Sequence, residues 1–76
     1  MIKELLALVV KQLVSNPETV TISEIRSEDK DLIEISVHES DRGKIIGRDG
    51  QTIKAIRMMV NALTSDDRRI HVDVAK

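Results

Sequence analysis

The stretch from residue 45 to residue 53, IIGRDGQTI, decides the fold of this chain. It places the pattern Gly-x-x-Gly, formed by Gly47 and Gly50, between two segments with helical spacing of apolar residues, at about residues 41–46 and 51–63. Two helices joined by so short a turn need backbone conformations that a Cβ would oppose, which favours glycine there. A plain corner between two helices is the alternative explanation of both glycines.

The same turn is also suited to bind an anion. Glycine lets the main chain approach a ligand closely. The amides of Gly50, Gln51 and Thr52 are expected at the N-terminus of the second helix, where free N–H groups and the helix dipole favour negative charge. Basic residues flank the turn: Lys44, Arg48 and Lys54. The sequence therefore predicts a site for a phosphate backbone.

Charge is distributed unevenly along the 76 residues, although the net charge is only −1. Residues 42–57 carry five basic side chains and one acid, whereas residues 18–41 carry eight acids and two basic side chains. Such a basic segment within an acidic chain favours a polyanionic partner. Chance clustering on a solvated face is the alternative. The acids of residues 18–41 are expected to form a solvated face and to confine a bound polyanion to the glycine side.

Periodicity elsewhere predicts one more helix and three strands. A helical stripe near the N-terminus consists of Ile2, Leu5, Leu6, Val9 and Leu13. Alternating β-branched residues predict strands near residues 20–25, 33–37 and 70–74, the first two forming an antiparallel hairpin. A polar turn is expected at residues 64–67, and Ser40 is expected to cap the helix at residues 41–46. The core stripe of the last helix is expected to be Ile53, Ile56, Val60 and Leu63.

The order α-β-β-α-α-β indicates an α+β fold, with a three-stranded sheet packed against three helices in a single domain over residues 1–76. Cysteine is absent, which excludes disulfides and thiol chemistry, and the two histidines, His38 and His71, lack metal-ligand spacing. No catalytic constellation and no cofactor motif is apparent, so an enzyme is not expected. Neither a membrane-spanning run nor a secretion signal is recognised, so a cytoplasmic protein is expected.

Residues 45–53, in this element order, resemble a type II KH domain, and the whole chain is similar to the stand-alone KH domains of the bacterial KhpA family. The resemblance implies single-stranded RNA in a narrow groove, its backbone on the Gly-x-x-Gly loop and its bases over an aliphatic floor that includes Ile46. It implies a role as an RNA chaperone or post-transcriptional regulator. The expected RNA-binding residues are Lys44, Ile46, Gly47, Arg48, Asp49, Gly50, Gln51, Lys54 and Arg57.

A second face of the last predicted helix carries small and flexible apolar residues: Ala55, Met58, Met59 and Ala62. Exposed methionine beside alanine suggests a self-association or partner surface, and scattered surface apolarity is the alternative. The resemblance favours an interface, because it implies a homodimer or a heterodimer with a larger KH-containing protein, KhpB.

Two other functions are alternatives to RNA binding. One is a KH-fold interaction module that acts mainly through a partner such as KhpB. The acidic Asp49 within the loop and the net negative charge favour it. The other is a small enzyme subunit, which the lack of an acid–base or nucleophile set disfavours.

Overall fold

The computed structural model describes residues 2–28, 30–64 and 69–75, with only the backbone of Arg69. These residues form α1 (Ile2–Leu13), β1 (Thr21–Arg26), β2 (Lys30–Ser36), α2 (Arg42–Ile46), α3 (Gln51–Leu63) and β3 (Arg69–Val74). Short 3-10 turns occupy Pro17–Thr19, Glu39–Asp41 and Arg48–Gly50. The element order expected for a type II KH domain is confirmed. The turn expected at residues 64–67 falls mostly outside the described residues.

The sheet has the order β1-β2-β3, with β1 antiparallel and β3 parallel to β2. The parallel pair requires a crossover connection, and α2 and α3 lie within it. The Ala75 amide donates to the Ile35 carbonyl over 2.8 Å, which sets the register of β3. Because successive residues of a strand direct their backbone groups to opposite edges, the carbonyl of Val72 faces the outer edge of the sheet.

The core is one cluster of buried aliphatic side chains contributed by every helix and strand. Its members are Leu6, Val10, Ile22, Ile33, Ile35, Ile45, Ile53, Ile56, Val60 and Val72. The expected α1 stripe was partly wrong, because Leu5 and Leu13 are 39% and 41% exposed, whereas Val10 is buried. Apolar residues surround most of α1, so several stripes fit the sequence. Leu63, expected in the core, lies at the end of α3 and is 50% exposed.

Asp41 joins the end of α1 to the start of α2. Its buried carboxylate accepts hydrogen bonds from the backbone amides of Ser15 (3.1 Å) and Asn16 (3.0 Å) and from the Asn16 side chain. Burial alone would raise the pKa of Asp41, but these bonds and Lys44 outweigh it and hold the pKa at about 2, below the ordinary 3.8. The carboxylate therefore stays charged at neutral pH and fixes α2 to α1.

Two expectations for this region were wrong. Ser40 does not cap α2; it lies in the preceding 3-10 turn, where its amide donates to Nδ1 of His38 over 3.1 Å. The acids of residues 18–41 do not all lie on a solvated face, since Asp31 and Asp41 are buried. No helix among the described residues is long and apolar enough to span a membrane.

Candidate nucleic-acid interface

The Gly-x-x-Gly loop is built from three residues with positive φ. Gly47 has φ 78° and ψ 170°, a conformation that is almost confined to glycine, and Gly50 has φ 72° and ψ 17° in the left-handed helical region. A Cβ on Gly47 would lie 2.7 Å from the Thr52 Cβ, whereas a Cβ on Gly50 would meet nothing within 4 Å. Position 47 thus requires glycine both for its backbone conformation and because a side chain would clash with Thr52. Position 50 favours glycine for its backbone conformation alone.

The third positive-φ residue is Asp49, with φ 57° and ψ 26°. Asp and Asn enter this left-handed region more readily than other residues with a side chain. The acid at the second variable position of the loop therefore has a backbone reason to be there. Its side chain is exposed.

The backbone amides of the loop are less available than the sequence suggested. The Gly50 amide donates to the Gly47 carbonyl over 3.1 Å, and the Gln51 amide donates to the Arg48 carbonyl. These bonds form the 3-10 turn that leads into α3. Two of the three amides expected to receive an anion are therefore already bonded within the loop.

The cations expected around the loop fall into two groups. Arg48 and Lys54 are exposed and form no ion pair with another described residue. Lys44 instead turns toward α1, where its ammonium contacts the Ser15 hydroxyl and lies 3.4 Å from the Asp41 carboxylate. The loop therefore has two exposed cations of its own, and Lys44 is already paired.

Arg57 is held against the outer edge of the sheet. Its Nε donates to the Val72 carbonyl over 3.0 Å, and its Nη2 donates to Oδ1 of Asp73 over 3.3 Å. The Arg57 side chain is still 45% exposed. It lies on α3 one turn beyond Lys54, so the two cations share one side of the helix.

The other side of α3 borders a groove against α1. The groove encloses about 430 Å³ and is lined by Val9, Leu13, Gln51, Thr52, Ala55, Ile56 and Met59. Gln51 therefore lies with Ala55 and Met59 rather than with Arg57. Met58 is 71% exposed and Met59 is half-buried against the core, while Ala62 is exposed.

Ile46 ends α2 directly before Gly47 and is 43% exposed. It supplies an apolar surface beside the loop. Of the expected RNA-binding residues, the structure brings Ile46 and Gly47 to Gly50 together at one end of α3, with Lys54 and Arg57 along one side of that helix. Lys44 and Gln51 face α1 instead.

Sequence reasoning missed three contacts that shape this region. Thr52 packs against Gly47, and Asp41 and Asp73 hold Lys44 and Arg57. No local pattern indicates the contact of Asp73 with Arg57, because the two residues are 16 positions apart in the sequence. Within the described part of the chain, no three His, Cys, Asp or Glu side chains are grouped to hold a metal ion.

Comparison with known proteins gives a consistent result. The family model described as "KhpA/KhpB, KH domain" matches residues 3–75. The protein named RNA-binding protein KhpA in Thermotoga maritima is 39% identical over 74 residues, covering 97% of this chain and 99% of its own length. The proteins of the same name in Chlamydia trachomatis and Clostridium perfringens are 40% and 36% identical, each over 95% of this chain and over 94% and 97% of their own lengths. No solved structure gives a significant match.

Proposed function

The chain belongs to the KhpA/KhpB KH-domain family, and on that premise we propose that it binds single-stranded RNA through the loop Gly47–Gly50 and the adjacent side of α3. The observation that carries the proposal is the loop itself. It has no Cβ at two of its four positions, and exposed Arg48 and Lys54 lie in and beside it. The relatives are named RNA-binding proteins, which supports RNA as the partner.

In this proposal, the RNA backbone approaches the open side of Gly50, where a Cβ would meet nothing within 4 Å. Arg48 and Lys54 neutralise phosphates, and Ile46 supplies an apolar surface for a base. Stacking on aromatic rings has no part in it, because the chain contains no Phe, Tyr or Trp. Phosphate contacts from Arg48 and Lys54 would give a modest slope of log affinity against log salt, about −1.4.

Gly50 offers a sharper test than Gly47. A side chain at Gly47 would clash with Thr52 and disturb the fold, whereas one at Gly50 has space. The experiment is fluorescence polarisation with a labelled ten-nucleotide single-stranded RNA, comparing Gly50→Asp with its matched control Gly50→Asn. Both residues tolerate the left-handed conformation and have the same shape, so the comparison isolates charge.

We expect Gly50→Asp to weaken RNA binding about 5-fold or more, because it adds a carboxylate within a few ångströms of phosphate. Gly50→Asn should weaken it less, because its side chain fills the same space without adding a charge. Equal affinities for the two variants would contradict a loop that contacts the RNA backbone. If the folded wild type binds no RNA, the alternative of an interaction module that acts mainly through a partner gains support.

We also propose how the chain assembles and where it acts. Ala55, Met58, Met59 and Ala62 form one side of α3, where Met58 is exposed and Ala55 and Met59 line the groove against α1. That side would support a homodimer or a heterodimer with the larger KH-containing protein KhpB. In this proposal, residues 1–76 act as a single KH domain that binds RNA without catalysis or a cofactor, as a cytoplasmic RNA chaperone or post-transcriptional regulator.

A further inference from the structure

We propose that Arg57 is the residue with which this protein selects a base, and that it prefers a base presenting two adjacent hydrogen-bond acceptors, namely guanine or cytosine. The inference rests on the proposed RNA binding and deepens it. Its starting point is the way in which β3 holds the guanidinium.

The two bonds from Arg57 to β3 use one edge of the guanidinium. Nε donates to the carbonyl of Val72 and Nη2 donates to Oδ1 of Asp73. Nε–H and the nearer proton of Nη2 point in the same direction, so both bonds lie on that side of the planar group. The adjacent, end-on edge consists of one proton of Nη1 and the second proton of Nη2, and neither of these two bonds uses it.

Val72 and Asp73 therefore fix the direction of the remaining donors. The Ala75 amide points toward β2, because it donates to the Ile35 carbonyl. Backbone groups of successive residues alternate between the two edges of a strand, so the Val72 carbonyl, three residues earlier, faces the outer edge of the sheet. Because the side chain is 45% exposed, a ligand can reach the remaining edge. A guanidinium held in this way keeps its orientation when RNA arrives, whereas exposed Lys54 can follow a phosphate.

The remaining edge presents two parallel N–H donors. Guanine offers the adjacent acceptors O6 and N7, and arginine pairs with them through two bonds. Cytosine offers O2 and N3 on its pairing edge, which is exposed in a single strand. Adenine and uracil place a donor beside each acceptor on their pairing edges, and adenine also does so at N6 and N7. The guanidinium therefore favours guanine and cytosine over adenine and uracil.

The position on α3 fits a base rather than the phosphates at the loop. Arg57 lies seven residues after Gly50, which corresponds to about 10 Å along the helix axis. It shares the side of α3 that carries Lys54. A single-stranded RNA whose backbone lies on the loop and near Lys54 would thus extend its bases toward the outer edge of β3.

The test uses labelled ten-nucleotide uridine RNAs whose two central positions are guanine, cytosine, adenine or uracil. Affinity is measured by fluorescence polarisation for the wild type and three variants. Arg57→Lys keeps the positive charge but loses the two-donor edge. Asp73→Asn weakens the hold on the guanidinium. Lys54→Gln is the control for a phosphate contact.

The wild type should bind the guanine or the cytosine RNA about 10-fold more tightly than the adenine and uracil RNAs. Arg57→Lys should reduce that ratio of affinities to about 1. Asp73→Asn should also reduce the ratio, whereas Lys54→Gln should weaken all four complexes equally. Replacing the preferred base by 7-deazaguanine or 3-deazacytosine, each lacking one acceptor, identifies which edge is read.

Two results would contradict base selection by Arg57 without contradicting the proposed RNA binding. The first is an equal affinity of the wild type for all four RNAs. The second is a ratio of RNA affinities in Arg57→Lys that equals that of the wild type. If Arg57 only covers the edge of β3, Arg57→Lys should lower the thermal midpoint of unfolding and leave the ratio of RNA affinities unchanged. If the wild type binds none of the four RNAs, the proposed function itself is wrong.

Discussion

Gly47 and Thr52 are packed so closely that no side chain fits between them. A Cβ on Gly47 would lie 2.7 Å from the Cβ of Thr52 and 2.8 Å from its backbone nitrogen. Because the obstacle includes main chain at the start of α3, it cannot be relieved by rotating a side chain. The path of the loop from α2 into α3 therefore depends on this contact.

The two glycines of the loop should differ in their tolerance of substitution. We expect Gly47→Ala to lower the free energy of unfolding by about 3 kcal/mol or more, because strain at φ 78° adds to the clash with Thr52. Gly50→Ala should cost about 1–2 kcal/mol, since only the left-handed conformation opposes it. Urea denaturation monitored by circular dichroism measures both. If both variants lost the same free energy of unfolding, the structure around Gly47 and Thr52 would have adjusted to the added side chain without loss of stability.

The charge of Asp49 should limit RNA affinity without supporting the fold. Asp49→Asn keeps a side chain suited to φ 57° and removes a carboxylate from the loop. Since a like-charge contact at about 4 Å is worth about 1 kcal/mol in water, affinity for RNA should rise about 5-fold. Fluorescence polarisation measures the change, and unfolding should be unaltered. Unchanged affinity would mean that RNA passes the loop on its other side.

Asp41 should stabilise the fold at neutral pH and lose that effect in acid. Its pKa lies at about 2 in the folded chain, below its ordinary 3.8, so its contribution is complete above about pH 4. The contribution falls as the pH drops through 2. Asp41→Asn should therefore have a lower thermal midpoint than the wild type at pH 7, and the difference should shrink between pH 4 and pH 2.

The control for this pH dependence is Asp73→Asn, which removes a 66% exposed carboxylate from a surface ion pair. Its thermal midpoint should differ little from that of the wild type throughout the pH range. A gap between Asp41→Asn and the wild type that stays constant down to pH 2 would contradict the proposed charge of the buried group.

Met58 is the best position at which to test self-association. It is 71% exposed, so Met58→Glu should leave the fold intact, whereas Met59 is half-buried against the core and its replacement by Asp would also destabilise the monomer. If α3 forms a dimer interface, Met58→Glu should raise the dissociation constant about 10- to 100-fold. Light scattering over a range of concentrations measures it. Ile25→Glu is the matched control, because Ile25 is 54% exposed on β1.

Local sequence patterns predicted the helices and strands well, but they could not predict contacts between residues far apart in the sequence. The bounds of α3 follow from a glycine turn next to periodic apolar residues, which are signals within the segment itself. The sequence alone could not identify the buried face of α1, because apolar residues nearly surround that helix. The pairing of Lys44 with Asp41 and Ser15 and of Arg57 with Val72 joins separate elements, and no spacing rule encodes it.

The parallel pairing of β2 and β3 has a consequence for protein synthesis. The hairpin of β1 and β2 can form as soon as residue 36 has emerged from the ribosome, but β3 is made after both intervening helices. Until then, Arg57 has no strand edge to bind. A nascent or prematurely ended chain that lacks β3 would therefore leave Arg57 without the Val72 carbonyl and the Asp73 carboxylate that hold it in the complete fold.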